Sequence, residues 1–207
     1  MKKIIFILLS MAGVAGVNAQ SKGNVEFGLG TGLNLSTVSS TDFYGNPDTN
    51  ASFNFNGSAE YYFSDRWGIK AMLMYDRKGW DNGLLVDTNT GYSVETNINM
   101  DYLTIPVMAN WHFGAKRNWY LNFGPYVGFL LDAKDTRFDM DLKESHNNVD
   151  AGLAVGIGVK IPVNNYVKIF VEYQEQAGVI DIFKESYGFD PVLNSRSAFN
   201  IGINFML

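Results

Sequence analysis

A chain of 207 residues with no shift in composition along its length suits a single domain. It is rich in Gly (21), Phe (15) and Tyr (11), has no cysteine, and carries a formal net charge of −5. Those totals exclude a disordered chain, a disulfide scaffold, a thiolate metal site, a Cys nucleophile and a lipid-bearing Cys, and an acidic balance lacks the basic patch of a nucleic-acid binder.

The chain opens with Lys2 and Lys3, then an apolar stretch over 4–17, then Val17-Asn18-Ala19. A basic start, a short apolar core and small residues before a cut predict a secretory signal peptide, residues 1–19, cleaved between Ala19 and Gln20. The apolar stretch is shorter than the ~20 residues a membrane helix needs. The remaining chain, 20–207, is predicted to be one domain, either soluble outside the inner membrane or inserted as a barrel.

Period-two alternation follows in eight segments. The first, 25–36, sets Val25, Phe27, Leu29, Thr31, Leu33 and Leu35 against Glu26, Gly28, Gly30, Gly32, Asn34 and Ser36. The second, 52–63, sets Phe53, Phe55, Tyr61 and Phe63 against Ser52, Asn54, Asn56 and Glu60. The third, 67–76, sets Trp67, Ile69, Leu73 and Tyr75 against Lys70, Met72, Met74 and Asp76. The fourth, 102–113, and fifth, 119–131, repeat the split, with Val107 and Trp111 against Asn110 and His112, and Trp119 and Phe123 against Tyr120 and Asn122. The sixth, 149–161, has Leu153, Val155 and Ile157 against Asp150, Gly152, Gly156 and Lys160. The seventh, 167–174, and eighth, 198–207, end the series, with Ile169 and Val171 against Lys168 and Glu172, and Ile201 and Phe205 against Asn200 and Asn204. Among the apolar-face positions Thr31 alone has a polar side chain.

The connections alternate in length. Short turns are predicted at 64–66, 114–118 and 162–166, and long polar loops at 38–50, 80–97, 133–148 and 178–194. Short turns at one end and long loops at the other is the layout of an eight-stranded antiparallel up-and-down transmembrane β-barrel. An even strand count puts both termini at the short-turn end, the periplasmic side of a bacterial outer membrane.

Alternation does not say which face is outside, and a soluble lipocalin-like barrel would turn its apolar face inward. Volume decides. Eight strands enclose a space just wide enough to be filled by side chains. The face rich in Gly, Ala, Ser and Asn fits there, and the bulky apolar face needs lipid. Phe63, Trp67, Trp111, Phe113, Trp119, Tyr166 and Phe205 flank the short turns or the C-terminus, as an interfacial aromatic girdle does. Inward positions carry Glu26, Glu60, Asp76, Asp150 and Glu172 together with Lys70, Lys78, Lys160 and Lys168. Mixed charges in a narrow lumen are expected to pair, Lys70 with Glu60 for example. The sharper alternative is a gated ion path.

Three stretches carry a family resemblance: Gly30-Thr-Gly-Leu-Asn-Leu-Ser36, Tyr102-Leu-Thr-Ile-Pro-Val107, and Tyr120-Leu-Asn-Phe-Gly-Pro-Tyr-Val-Gly128. With Glu172-Tyr173-Gln174 and Asn200-Ile-Gly-Ile203, they make the chain resemble the outer-membrane β-barrel domain (PorT-like) family of Bacteroidetes-type bacteria. The resemblance implies an eight-stranded outer-membrane barrel and, for most members, no assigned activity. One branch is linked to secretion and gliding. The last residue is Leu207, with Phe205 two before it on the same face, whereas many such barrels end in an aromatic residue read by the insertion machinery.

Catalysis is not expected. His112 reads as an interfacial polar residue beside a turn. His146 and Asp150 lie near one another in sequence but have no accompanying nucleophile. Asp132, Asp135, Asp139, Asp141 and Glu144 crowd one loop without the spacing of an EF-hand and read as a solvated acidic loop. Gly152, Gly156 and Gly158 precede no helix and so are no phosphate cradle. No cofactor is expected. The expected partners are outer-membrane lipid and lipopolysaccharide, the barrel-insertion machinery, and secretion or surface partners met through the long loops, with no nucleic acid. The expected role is structural or interactive, with four extracellular loops on display. The alternatives are a narrow channel for small solutes or ions, or an accessory part of a secretion system.

Overall fold

The computed structural model describes residues 22–39, 47–86, 93–184 and 190–207. The predicted signal peptide, 1–19, and its predicted cut between Ala19 and Gln20 lie outside the described residues. Eight strands form: β1 Val25–Ser39, β2 Asp48–Tyr62, β3 Trp67–Val86, β4 Ser93–Phe113, β5 Trp119–Asp135, β6 Val149–Pro162, β7 Val167–Asp181 and β8 Leu193–Met206. Each pairs antiparallel with the next, and β1 pairs with β8, so the sheet closes on itself.

Every strand begins where the alternation predicts it, or earlier. The difference lies at the long-loop end. β3 runs for 20 residues and β4 for 21, about twice what a tilted strand needs to cross a bilayer. Most of the predicted loop at 80–97 is therefore strand. The reason is an inversion of polarity. Above Tyr75 the outward side chains become Arg77, Asn97, Asn99 and Asp101, while Trp80, Ile98 and Met100 turn inward. These apolar residues, in or beside the predicted polar loop, continue the alternation with the faces exchanged, because the barrel wall there meets water instead of lipid.

Bulges mark this change. The β3–β4 register slips between Trp80 and Gly83, and the β4–β5 register slips between Asp101 and Tyr102. Gly79 sits beside the first slip at φ 145°, where a Cβ would lie 1.9 Å from the Ile98 carbonyl oxygen, so only glycine fits.

Below the bulges the outer surface is a continuous apolar belt. Leu29 is 66% exposed, Leu33 69% and Ile201 55%. No water-soluble surface presents that much contiguous hydrocarbon. Thr31 fits the belt because its hydroxyl donates to the Asn54 carbonyl oxygen at 2.7 Å. The belt ends at polar pairs: Arg77 forks onto Asp101 at 2.6 and 2.8 Å, and Ser197 donates to Glu175 at 2.8 Å. At the other end Trp67, Trp111, Phe113 and Trp119 form a stacked ladder across β3, β4 and β5, with ring centroids 6.2, 5.1 and 6.5 Å apart.

Candidate functional site

The interior is the site, because the strands put every inward side chain into one narrow column. Three polar levels, one apolar layer between them and an apolar cap fill it.

At the short-turn end Lys160 is the hub. Its Nζ donates to Glu26, to Glu60 Oε2 at 2.7 Å and to the Tyr62 hydroxyl at 2.9 Å. Lys168 joins Glu26 at 2.7 Å, and Asn204 donates to Glu26 at 2.6 Å. His112 Nε2 donates to Glu60 Oε1 at 2.6 Å. His112 is fully buried, so it is a lumen residue and not the interfacial one its place beside a turn predicts. Its even position puts it in phase with Asn110, which also points inward.

In the middle, Lys70 donates to Glu172 Oε2 at 2.9 Å, and Asn122 donates to the same oxygen at 2.8 Å. Lys70 stands opposite Glu60 in the β2–β3 register, yet its partner is Glu172 across the barrel. The Tyr120 and Phe170 rings lie 5.4 and 5.7 Å from its Nζ. Phe170 has room because it lies over Gly30 and Gly202, which face each other on the closing β1–β8 seam. Above this level Met72, Met74, Met108, Tyr126 and Ala154 form an apolar layer.

The upper level joins Asp76, Lys78, Asp150 and Arg196. Lys78 donates to Asp150 at 2.8 Å with the Tyr126 ring centroid 4.6 Å from its Nζ. Asp76 accepts from Asn34 at 2.9 Å and faces Arg196 at 3.5 Å. Arg196 donates to Asn34 at 3.1 Å and Gln174 at 2.5 Å. Sequence reasoning missed Arg196, which falls between a predicted loop and the eighth segment. Its even spacing from Ala198 and Asn200 is the signal that places it inward.

The network is balanced. Glu26, Glu60, Asp76, Asp150 and Glu172 stand against Lys70, Lys78, Lys160, Lys168 and Arg196, all buried. Five charges of each sign in one low-dielectric column satisfy the rule that buried charges must be paired and hydrogen-bonded.

The cap closes the long-loop end. Val38, Trp80, Ile98, Met100, Leu130 and Ile182 pack with Leu142 and Phe183 over the polar column. The connection after β5 is folded onto it. Asp135 accepts backbone N–H bonds from Arg137 at 3.0 Å, Phe138 at 2.8 Å and Met140 at 2.8 Å. Burial alone would raise its carboxyl, and the three N–H groups hold it below the ordinary value instead. That contribution is present above the ordinary carboxylate pKa and is lost as pH falls through the lowered one. Asp135 is thus the pin of a turn, not one of a set of solvated loop acids. Replacing Asp135 with Ala should free the turn, read as faster tryptic cleavage at Arg137 and Lys143 with the barrel itself intact.

His146 and Asp150 are not brought together. His146 Nδ1 donates to the Leu142 carbonyl oxygen at 2.7 Å and its ring packs on Phe183 at 4.8 Å. Burial pushes His146 below its ordinary value, the Leu142 carbonyl opposes that, and Lys184 adds to it. Asp150 belongs to Lys78 and Tyr126. Among the described residues no group of three or more His, Asp or Glu side chains is arranged to hold a metal ion. Of the girdle residues, Phe63, Trp67, Trp111, Trp119, Tyr166 and Phe205 are exposed on the outside at the short-turn end, and Phe113 stacks between Trp111 and Trp119.

No curated protein sequence matches the chain. The outer membrane protein OprG of Pseudomonas aeruginosa is similar in structure, with a TM-score of 0.57 at 12% identity, covering 93% of this chain and 99% of that one. Neisserial surface protein A is similar at a TM-score of 0.51 and 16% identity, covering 86% of this chain and 96% of that one. At such identities the likeness is one of fold. Residues 18–184 match the family described as outer membrane protein beta-barrel domain. The chain therefore belongs to the outer membrane protein beta-barrel domain family, and it is an eight-stranded barrel of the bacterial outer membrane.

Proposed function

We propose that this barrel is a sealed membrane anchor whose role is structural or interactive. One observation carries the reading: among the described residues the lumen is filled by a charge-balanced network, crossed by one methionine-rich layer, under an apolar cap. A pathway for solutes needs open, hydrated space, and this column is occupied by buried side chains whose charged groups are paired with one another. The strands that rise above the belt then serve to hold a rigid rim outside the membrane.

Several finer readings go with it. The chain falls in the PorT-like, Bacteroidetes-type branch of the family, on the strength of the Tyr102-to-Val107 and Tyr120-to-Gly128 stretches. It is exported with a signal peptide. Its termini face the periplasm, so the long-strand rim meets lipopolysaccharide and surface partners. Phe205 and Leu207 offer the last strand to the insertion machinery. It performs no catalysis, since the candidate His146 and Asp150 are each engaged elsewhere.

Labelling tests the display of the rim. The chain has no cysteine, so single replacements are clean reporters. In intact cells Glu144→Cys should react with a membrane-impermeant maleimide, and Asn165→Cys only after the outer membrane is opened. The reverse pattern would invert the orientation and remove the display role. A narrow ion channel is the competing reading, favoured by the charged lumen, and conductance separates the two.

A further inference from the structure

The short-turn rim is not uniform. The β6–β7 turn, 163–166, carries no charged side chain. The β4–β5 turn instead carries Lys116 and Arg117, the β2–β3 turn carries Asp65 and Arg66, and the two are joined. Arg117, at φ 55°, reaches from one turn to the other and meets the Asp65 carboxylate at 3.3 Å. The Ser64 hydroxyl accepts from the Trp67 N–H at 2.9 Å and fixes the shape of the first turn. Between them opens a cleft of about 510 Å³ lined by Lys22, Ser64, Asp65, Arg66, Trp67 and Arg117.

Charge in this cleft is unbalanced. Asp65 answers Arg117, while Lys22 and Arg66 have no ion-pair partner among the described residues. This contrasts with the lumen, where every cation is matched. The surplus lies beside Trp67, the first ring of the stacked ladder that marks the belt edge. Aromatic ladders of this kind sit at headgroup depth. Two uncompensated cations at that depth face the phosphate layer of the leaflet. Lys22 follows the expected cleavage point, so it stays in the exported chain.

We propose that this cleft binds the phosphate headgroup of an anionic glycerophospholipid in the leaflet at the short-turn side. The lipid's acyl chains would run along the belt above Trp67, and its phosphate would complete the charges of Lys22 and Arg66. The site is local: it belongs to the β3–β5 sector, and the uncharged β6–β7 sector should hold no lipid of this kind.

Native mass spectrometry of the full mature chain released from nanodiscs tests it. With equal phosphatidylglycerol and phosphatidylcholine, the protein should retain phosphatidylglycerol preferentially. Each interfacial cation contributes about a fivefold preference, so the double variant Lys22→Gln, Arg66→Gln should lower that preference roughly 25-fold. A double variant at the opposite rim, Lys134→Gln and Lys143→Gln, should leave it unchanged. Three results would overturn the proposal. One is equal retention of both lipids by the unaltered protein. Another is full preference in the double variant at the cleft. The last is displacement of the lipid by millimolar glycerol 3-phosphate, which would make the site one for a soluble phosphate. The unaltered protein alone decides the first and last, so the proposal stays open to refutation even if the variant folds poorly.

Discussion

Replacing Lys160 with Met should destabilise the barrel by about 3–5 kcal/mol. The change keeps an unbranched side chain one atom shorter and removes its charge and donors. Lys160 is 1% exposed and is shared by Glu26, Glu60 and Tyr62. Without it two carboxylates remain buried, Glu26 with Lys168, Asn204 and Tyr62 and Glu60 with His112. Removing one partner of a buried set costs far more than the set contributes, because the orphaned charge keeps its full desolvation penalty. Urea unfolding in lipid vesicles, followed by tryptophan fluorescence, measures the loss. Adding Glu60→Gln to Lys160→Met should recover part of it, since the second change removes an orphaned charge, and the non-additivity reports the coupling. Arg77→Ala is the contrast. Its pair with Asp101 is partly exposed at the rim, and such pairs contribute under about 1 kcal/mol. If Lys160→Met costs no more than Arg77→Ala, the lumen network does not hold the barrel together.

Val107→Arg should cost about 2–4 kcal/mol by the same measurement. Val107 points outward from β4 and is 46% exposed. It lies midway between Asp101, where the outer surface turns polar, and the ring ladder at Trp111. An arginine there would face hydrocarbon at the centre of the belt, where a guanidinium is most costly. Thr37→Arg, on the same outward face of β1 but beyond the belt, should cost about 0–1 kcal/mol. In a water-soluble barrel both changes would be neutral at the surface. The difference between the two positions therefore reads out the solvent around the wall.

Much of this was legible because alternation survives local detail. Eight segments of period two, with large residues on one face, specify the strands and the lipid side together. The upper strands were not legible by the same rule. Trp80, Ile98 and Met100 look like an interruption until the wall is known to leave the membrane, after which they continue the pattern inside out. The lumen residues were legible as a set but not as pairs. Lys70 and Glu172 lie 102 positions apart and meet only because β1 closes on β8. Register alone points to Glu60, whose carboxylate is taken by Lys160 and His112. Pairing across a closed interior depends on side-chain reach over the whole column, which no strand carries by itself. Arg196 was missed and His112 misplaced for a simpler cause: one sits beside a predicted long loop and the other beside a predicted turn, and their even phase was the better guide.

The claim that joins these observations is that the interior is shut. Single-channel recording of the purified full mature chain in planar bilayers tests it most directly. The sealed column predicts a flat baseline across ±100 mV, no different from protein-free bilayers. Steady conductance steps that change in size on Glu172→Gln would show that ions pass beside Lys70 and Glu172, and the account of a closed anchor would be wrong.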